Sequence, residues 1–443
     1  MTEICIRDCH ALVPNEQGGL GVARHQDILI QDNRIAALRP TGEPLASGVT
    51  VVEGQRMLAL PGLINTHAHV ASVLFRGLAE DVSLERWFND FIWPLETHLT
   101  PEDVYWGAQL GLIEMIEAGV TTVADHSVFM DEVARAVEAA GTRARLGWSA
   151  FSSGGYAALA ETAAFAERWK GGAGGRISTC MAPFSPYTCD DGLLRACVGH
   201  ATRLGVGIHL HAAEEMNQTL ASVSRRDRTP IQVLQDMGVL SVPTLIAHGC
   251  GLLPQDVELL ARHRAHVGIA HAPKQALKLA LGVAPLRALR KSGVPVGLAT
   301  GTASGNTLEL FESLRLMAML QKHDALDPEV LPIPEALDIA TRGSASALGL
   351  GTELGVLAPG ALADIVLVDT RGTHWHPQHD LTAGLVYGAR ASDVHTVLVN
   401  GRVLLRDRQL LTLDKERVLA EVVGRMERLA RRVPESRPRR YKP

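Results

Sequence analysis

Two histidines spaced two apart, His67 and His69 in PGLINTHAHV (61–70), are the first residues in this sequence whose spacing points to chemistry. They close an apolar run of strand-like texture. On a strand, residues i and i+2 point to one face, so both imidazoles converge on one point. The pattern recurs downstream: VGIHLHAAEE carries His209, His211 and Glu214, TLIAHG carries His248, and VGIAHAP carries His271. Each of these segments ends its own strand-like run. Imidazole is a common zinc ligand, and catalytic zinc keeps one coordination position open for water. A bound ion lowers the pKa of that water toward about 7 and so supplies hydroxide at neutral pH. Three histidines suffice to hold the ion.

The elements that must position these groups alternate along the chain. Short apolar strands (TTVAD, ARLGWSA, VGIHLHA, TLIAHG, HVGIAHA, VPVGLAT) are separated by amphipathic helical stretches such as PEDVYWGAQLGLIEMIEAG and DGLLRACVGHATRLG. This alternation predicts a parallel sheet, and its length suits a TIM (β/α)8 barrel over residues 61–354, whose active site opens at the C-terminal strand ends. A doubly wound sheet is the competing architecture, but no G-x-G-x-x-G follows a first strand. The ends of the chain have a different, β-rich texture. DILIQDNRIAAL predicts a hairpin turning at Asp32-Asn33, and VHTVLVNGRVLL a second one at Asn400-Gly401. Residues 1–60 and 355–410 are therefore expected to pair into one small β-sandwich. An amphipathic helix is expected over 411–432, with Val418, Leu419, Val422, Met426 and Leu429 on one face. The tail 433–443 lacks any apolar face and is expected to be disordered.

Composition narrows the function. The 443 residues are 46% apolar and 21% charged with a net charge of −5, which gives no reason to expect nucleic acid. Six scattered cysteines without a C-x-x-C pair suggest reduced thiols in a cytoplasmic protein. The N-terminus lacks a basic region followed by an apolar one, and no run has the roughly 18 apolar residues of a membrane helix.

The segment PGLINTHAHVASVLFRGLAEDVSLERWFNDFIWPLE resembles the first-strand region of the amidohydrolase superfamily. More narrowly, it is similar to the branch that holds methylthioadenosine/S-adenosylhomocysteine deaminases, guanine-type deaminases and triazine hydrolases. The resemblance spans nearly the whole chain. It implies that His67, His69 and His211 bind one divalent metal ion, zinc first and iron second. It also implies that Glu214 shuttles a proton to the substrate's ring nitrogen, that His248 orients the attacking hydroxide or polarises the reacting centre, and that Glu96 contacts ribose-like hydroxyls. Trp93, Phe184 and His271 fall at positions expected to line the substrate. The implied protein is a homodimer or higher homo-oligomer acting on a small heteroaromatic molecule, with neither nucleic acid nor membrane as partner.

The sequence departs from the family at the eighth strand. There the family has a T-D-G-type motif whose Asp binds the metal and takes a proton from its water. LATGTASGNTLELF (298–311) keeps the flanks and lacks the acid, and no Asp or Glu occurs anywhere from Leu259 to Leu308. Three arrangements follow: Thr300 or Thr302 positions the water while Glu214 handles protons, another base or a metal-free route operates, or the site only binds a ligand. Two further departures concern the pocket. Phe184 replaces a histidine that helps bind the amino-acid tail of S-adenosylhomocysteine, and Lys274 and Gln275 alter the rim. The expectation is a metal-dependent deaminase in which metal-bound hydroxide attacks an N-heteroaromatic ring such as a purine, pterin or nucleoside-like compound. A triazine-type hydrolase that releases chloride or an alkylamine is the alternative within enzymes. A catalytically silent, metal-poor binding homologue is the alternative outside them.

Overall fold

The computed structural model describes residues 3–15, 18–302, 305 and 307–432, so the expected disordered tail lies outside the described residues. Eight parallel strands follow one another around a barrel in chain order: β1 (Leu63–Ala68), β2 (Val120–Ser127), β3 (Arg143–Ala150), β4 (Ile177–Pro183), β5 (Gly207–Ala212), β6 (Thr244–His248), β7 (Val267–His271) and β8 (Val296–Leu298). A parallel bridge between Ala68 and Gly301 closes β8 onto β1. The strands are buried along nearly their whole length because helices cover the sheet outside and side chains fill it inside.

Local chemistry sets the covering helices. Pro101–Glu117 starts with Pro at its first position, and Thr100 and Asp103 form a reciprocal capping box that satisfies otherwise orphaned N–H groups. Asp190 caps Asp191–Leu204, which ends at Gly205 in the left-handed region (φ 60) that glycine adopts without strain.

Both ends of the chain join a separate nine-stranded, mostly antiparallel sheet beside the barrel. Its order is Gln409–Leu410, Arg402–Arg406, Val394–Val399, Ile365–Asp369, Met57–Pro61, Glu3–Pro14, Leu20–Gln31 and Arg34–Pro40, with Thr50–Glu53 also paired to Glu3–Pro14. Its inner face packs around Ile6, Ile28, Ile35, Ile365 and Leu398. Both expected hairpins form, with Gln31 opposite Arg34 and Val399 opposite Arg402. The two turns abut: a Cβ on Gly401 would lie 2.0 Å from the Asp32 carbonyl oxygen, so only glycine fits there. Arg143 of β3 ties barrel to sheet through two hydrogen bonds to Asp364, at 3.0 and 3.1 Å, both side chains being buried.

The last helix, Lys415–Arg432, lies on Pro101–Glu117. Val418, Val422 and Leu429 are buried, and Arg425 meets Asp103 at 3.1 Å while lying over the Trp106 ring. Leu419, expected on the apolar face, is instead 37% exposed. No helix among the described residues is long and apolar enough to cross a membrane.

Candidate metal centre and active site

The C-terminal ends of β1, β2, β5 and β6 bring a cluster of imidazoles together. A bulge in β1 helps aim the first pair: Asn65 is opposite Val123 and Ala68 opposite Asp125, so three residues advance on β1 against two on β2. The ring centroids of His67 and His211 are 4.8 Å apart, and those of His69 and His211 are 5.3 Å apart. One potential ligand atom from each of His67, His69, His126 and His211 lies within 4.8 Å of the others, and the same holds for His211, Glu214 and His248.

The far sides of these rings are anchored. Nδ1 of His211 faces the Phe184 carbonyl at 3.1 Å; a carbonyl only accepts, so Nδ1 carries the proton and Nε2 keeps its lone pair. Nδ1 of His67 meets Nε2 of His209 at 3.0 Å, and Nε2 of His67 is buried without a partner among the described residues. Nδ1 of His69 faces the Asp125 carboxylate at 4.0 Å, while Nε2 of His69 and Nε2 of His211 approach to 3.3 Å. Burial, reinforced by the neighbouring imidazoles, drives the pKa of His69 down to about 3 and that of His67 well below its ordinary value. Neutral imidazoles that converge on one point, with Nδ1 of His67 and of His211 anchored from behind, are the donor set a divalent ion such as zinc requires. The residues present fit that group.

Beside this cluster, Oε1 of Glu214 lies 3.3 Å from Nε2 of His248. Gln218 braces the carboxylate from the other side, donating to Oε2 at 3.1 Å and accepting the Glu214 N–H at 3.2 Å. Burial lowers the pKa of His248 to about 4, so the ring is neutral. His248 has φ +81, a conformation costly for a non-glycine residue and found preferentially at functional sites. Its Nδ1 is buried and has no partner among the described residues.

Two cavities adjoin the cluster. An inner one of about 50 Å³ is lined by His69, Trp87, Phe88, Trp93, Glu96, Phe151, Phe184 and Thr302, among others. An open groove of about 890 Å³ runs outward past Tyr187, Glu214 and Arg225. Phe88, Trp93 and Phe184 line both cavities and form the wall between them. Phe184 stacks on Phe151 with centroids 4.6 Å apart, and it lies 4.6 Å from the His211 ring. Burial raises the Glu96 pKa to about 7.

His67, His69, His211, Glu214 and His248 thus meet at one barrel mouth, and Glu96, Trp93 and Phe184 line the cavity beside it. Thr300 stands apart: its hydroxyl accepts from the Asn65 amide at 2.8 Å inside the barrel, and Thr302 is the threonine that lines the inner cavity. His271 is fully buried at the end of β7 and lines neither cavity. Sequence reasoning passed over His126 and Asp125, although TTVADHS meets the strand-end criterion used for the other histidines. The burial of Asp125 raises its pKa to about 7.

At the eighth strand, the Gly301 N–H donates to the His67 carbonyl at 3.0 Å and the His69 N–H to the Gly301 carbonyl at 3.4 Å. A Cβ built on Gly301 would lie 1.6 Å from Oε1 of Gln275, which accepts the Thr302 N–H at 2.9 Å. The place a side chain would take at Gly301 is therefore filled by Gln275. Acids from outside the acid-free tract neutralise several of its cations: Lys274 pairs with Glu312, Lys278 with Glu80 and Arg290 with Asp338.

Comparison with known proteins agrees with this architecture. Residues 58–404 match the Amidohydrolase family. The chain is 43% identical over 428 residues to the 5-methylthioadenosine/S-adenosylhomocysteine deaminase of Pelotomaculum thermopropionicum, covering 95% of this chain and 98% of that one. It is 41% identical over 404 residues to the protein of the same name from Carboxydothermus hydrogenoformans, with 90% and 93% covered. Among solved structures, an adenosine deaminase from Xanthomonas campestris with bound zinc superposes with a TM-score of 0.91 at 28% identity, over 97% of this chain and 99% of that one. An atrazine chlorohydrolase from Arthrobacter aurescens complexed with zinc gives 0.86 at 25% identity, over 96% and 100%. The chain belongs to the amidohydrolase family.

Proposed function

We propose that this protein is a metal-dependent aminohydrolase that removes an amino group from the heteroaromatic ring of a purine-nucleoside-like compound. The observation that carries the reading is the meeting of three anchored, neutral imidazoles with the Glu214–His248 pair beside an aromatic-lined cavity. Relatives of more than 40% identity named for methylthioadenosine and S-adenosylhomocysteine deamination support the substrate class.

A divalent ion held by His67, His69 and His211, zinc first by analogy with the similar solved structures, would supply an acidified water and Lewis-acid character at neutral pH. The chain's own groups do the rest. Glu214, held by Gln218, is placed to carry a proton from water to the ring nitrogen next to the reacting carbon. Neutral His248 stands beside Glu214, with its Nε2 3.3 Å from the carboxylate, and so flanks the reacting centre. Trp87, Phe88, Phe151 and Phe184 provide faces for stacking a flat ring and exclude bulk water. Glu96 keeps its proton near neutrality, so its carboxyl both donates and accepts and suits a sugar diol. Phe184 offers no hydrogen bond to a carboxylate, which favours the uncharged tail of methylthioadenosine over the amino-acid tail of S-adenosylhomocysteine.

The test is a screen of the zinc-loaded protein against methylthioadenosine, S-adenosylhomocysteine, adenosine, guanine, a pterin and atrazine, with the released group identified. Ammonia from a purine nucleoside, reduced at least about a hundredfold by Glu214→Gln, is the expected result. Silence on every purine and pterin from protein carrying one equivalent of zinc would overturn the proposal. Release of chloride or alkylamine from atrazine alone would select the triazine-type reaction instead.

A further inference from the structure

We propose that His126 is the fourth protein ligand of the metal centre, serving where the eighth-strand acid is missing; the inference rests on the metal-dependent reading above. The sequence offers no carboxylate near β8, and the structure shows that the space at Gly301 is already filled by Gln275. A fourth protein donor, added to the three histidines that suffice to hold an ion, would have to come from another strand.

His126, at the end of β2, is fully buried among the other ligands. Its ring centroid lies 4.7 Å from that of His211, 5.3 Å from His69 and 5.6 Å from His67. Its Nδ1 is 3.0 Å from the Ser149 hydroxyl, which can accept a proton from it. In the tautomer whose Nδ1–H donates to Ser149, Nε2 keeps its lone pair, and Nε2 is buried with no partner among the described residues. A polar atom so placed is costly unless something binds it. His126 therefore repeats the arrangement of His67, with Nδ1 facing a polar partner and Nε2 buried without one among the described residues, and it belongs to the same cluster.

The two nearby carboxylates are less suited to the role. Asp125 lies on the Nδ1 side of His69, and its Oδ2 accepts the Val70 N–H at 3.0 Å. Glu214 is held between His248 and Gln218. Asp125 instead fits a supporting role, a buried carboxyl behind a ligating imidazole. An all-imidazole ligand set leaves the ion's double positive charge intact, whereas a ligating Asp would cancel half of it.

The assignment is read by zinc affinity and by direct location of the ion. In competition with a chelator, His126→Asn is expected to bind zinc at least about tenfold more weakly than wild type while keeping its circular dichroism in the metal-free state. In zinc-loaded wild-type crystals, anomalous scattering is expected to place the ion about 2.0–2.1 Å from Nε2 of His126, which decides the matter even where the variant does not fold. One full equivalent of zinc in the wild type, with Nε2 of His126 beyond about 3 Å and unchanged affinity in the variant, would overturn the His126 assignment alone. Uptake below a tenth of an equivalent by the wild type would overturn both this assignment and the metal-dependent reading.

Discussion

Replacing Gly301 by Asp puts an acid back at the end of the eighth strand, and the structure predicts that the metal-free protein pays heavily for it. The new Cβ would lie 1.6 Å from Oε1 of Gln275, less than half the roughly 3.5–4.0 Å of a relaxed contact. Gln275 is 2% exposed, so it cannot simply swing into solvent. Expelling it breaks the bond to the Thr302 N–H, at about 1 kcal/mol. Repacking its surroundings adds about 1–3 kcal/mol, and forcing a side chain onto a backbone at φ +75 adds about 1 kcal/mol more. The expected loss is about 3–5 kcal/mol, a large share of the roughly 5–15 kcal/mol that holds a typical domain folded. Shortening Gln275 to Ser in the same chain removes the clash while leaving the backbone strain, so the double variant is expected to be more stable than Gly301→Asp alone. Urea-induced unfolding of wild type, Gly301→Asp, Gln275→Ser and the double variant in the presence of a chelator measures this coupling. If Gly301→Asp unfolds within about 0.5 kcal/mol of wild type, or the two substitutions add independently, Gln275 does not occupy the acid's place.

Two further outcomes follow from named contacts. Glu96 holds its proton more tightly in the folded chain, near 7 against an ordinary 4.5, so the stabilisation this provides is complete below pH 4.5 and is lost as pH rises through 7. Thermal melts of wild type and Glu96→Gln are therefore expected to diverge over that window in favour of the variant at higher pH; parallel curves would remove the buried acid. Cutting the buried Arg143–Asp364 pair with Asp364→Ala is expected to cost about 3–5 kcal/mol, because it strands a guanidinium between barrel and sheet. A loss below about 1 kcal/mol in urea unfolding would show that the junction is held by its apolar contacts instead.

Much of this was legible in the sequence because strand ends have a simple rule. A histidine closing an apolar run in a parallel barrel points to the mouth, and His67, His69, His211 and His248 obey it. His126 obeys it too, but it lacks the i+2 partner that made His67 and His69 conspicuous. Thr300 shows the limit of the same rule. A one-residue change of register exchanges the two faces of a strand, so beside the missing acid the sequence could not decide between Thr300 inside the barrel and Thr302 at the cavity. Gln275 was invisible as a space-filler, since its contact with Gly301 joins residues on different strand ends. The aromatic wall of Phe88, Trp93 and Phe184 likewise depends on three segments meeting in space.

The sheet beside the barrel also has a consequence for how the chain is made. Strand Met57–Pro61 pairs antiparallel with Ile365–Asp369, Leu60 lying opposite Val366. A growing chain therefore exposes the N-terminal strands, synthesised first, until some three hundred further residues have left the ribosome. Barrel strands can be added in order, each beside the last, but the unpaired edge of Met57–Pro61 has to wait. Such a long closure is slow and leaves an apolar edge open to wrong partners. His67 and His69, the first two proposed metal ligands, follow that strand by only a few residues. His67 and His69 are therefore made well before His211 and His248, the groups they meet at the barrel mouth, and the strand that leads into them is among the last to be fixed in place.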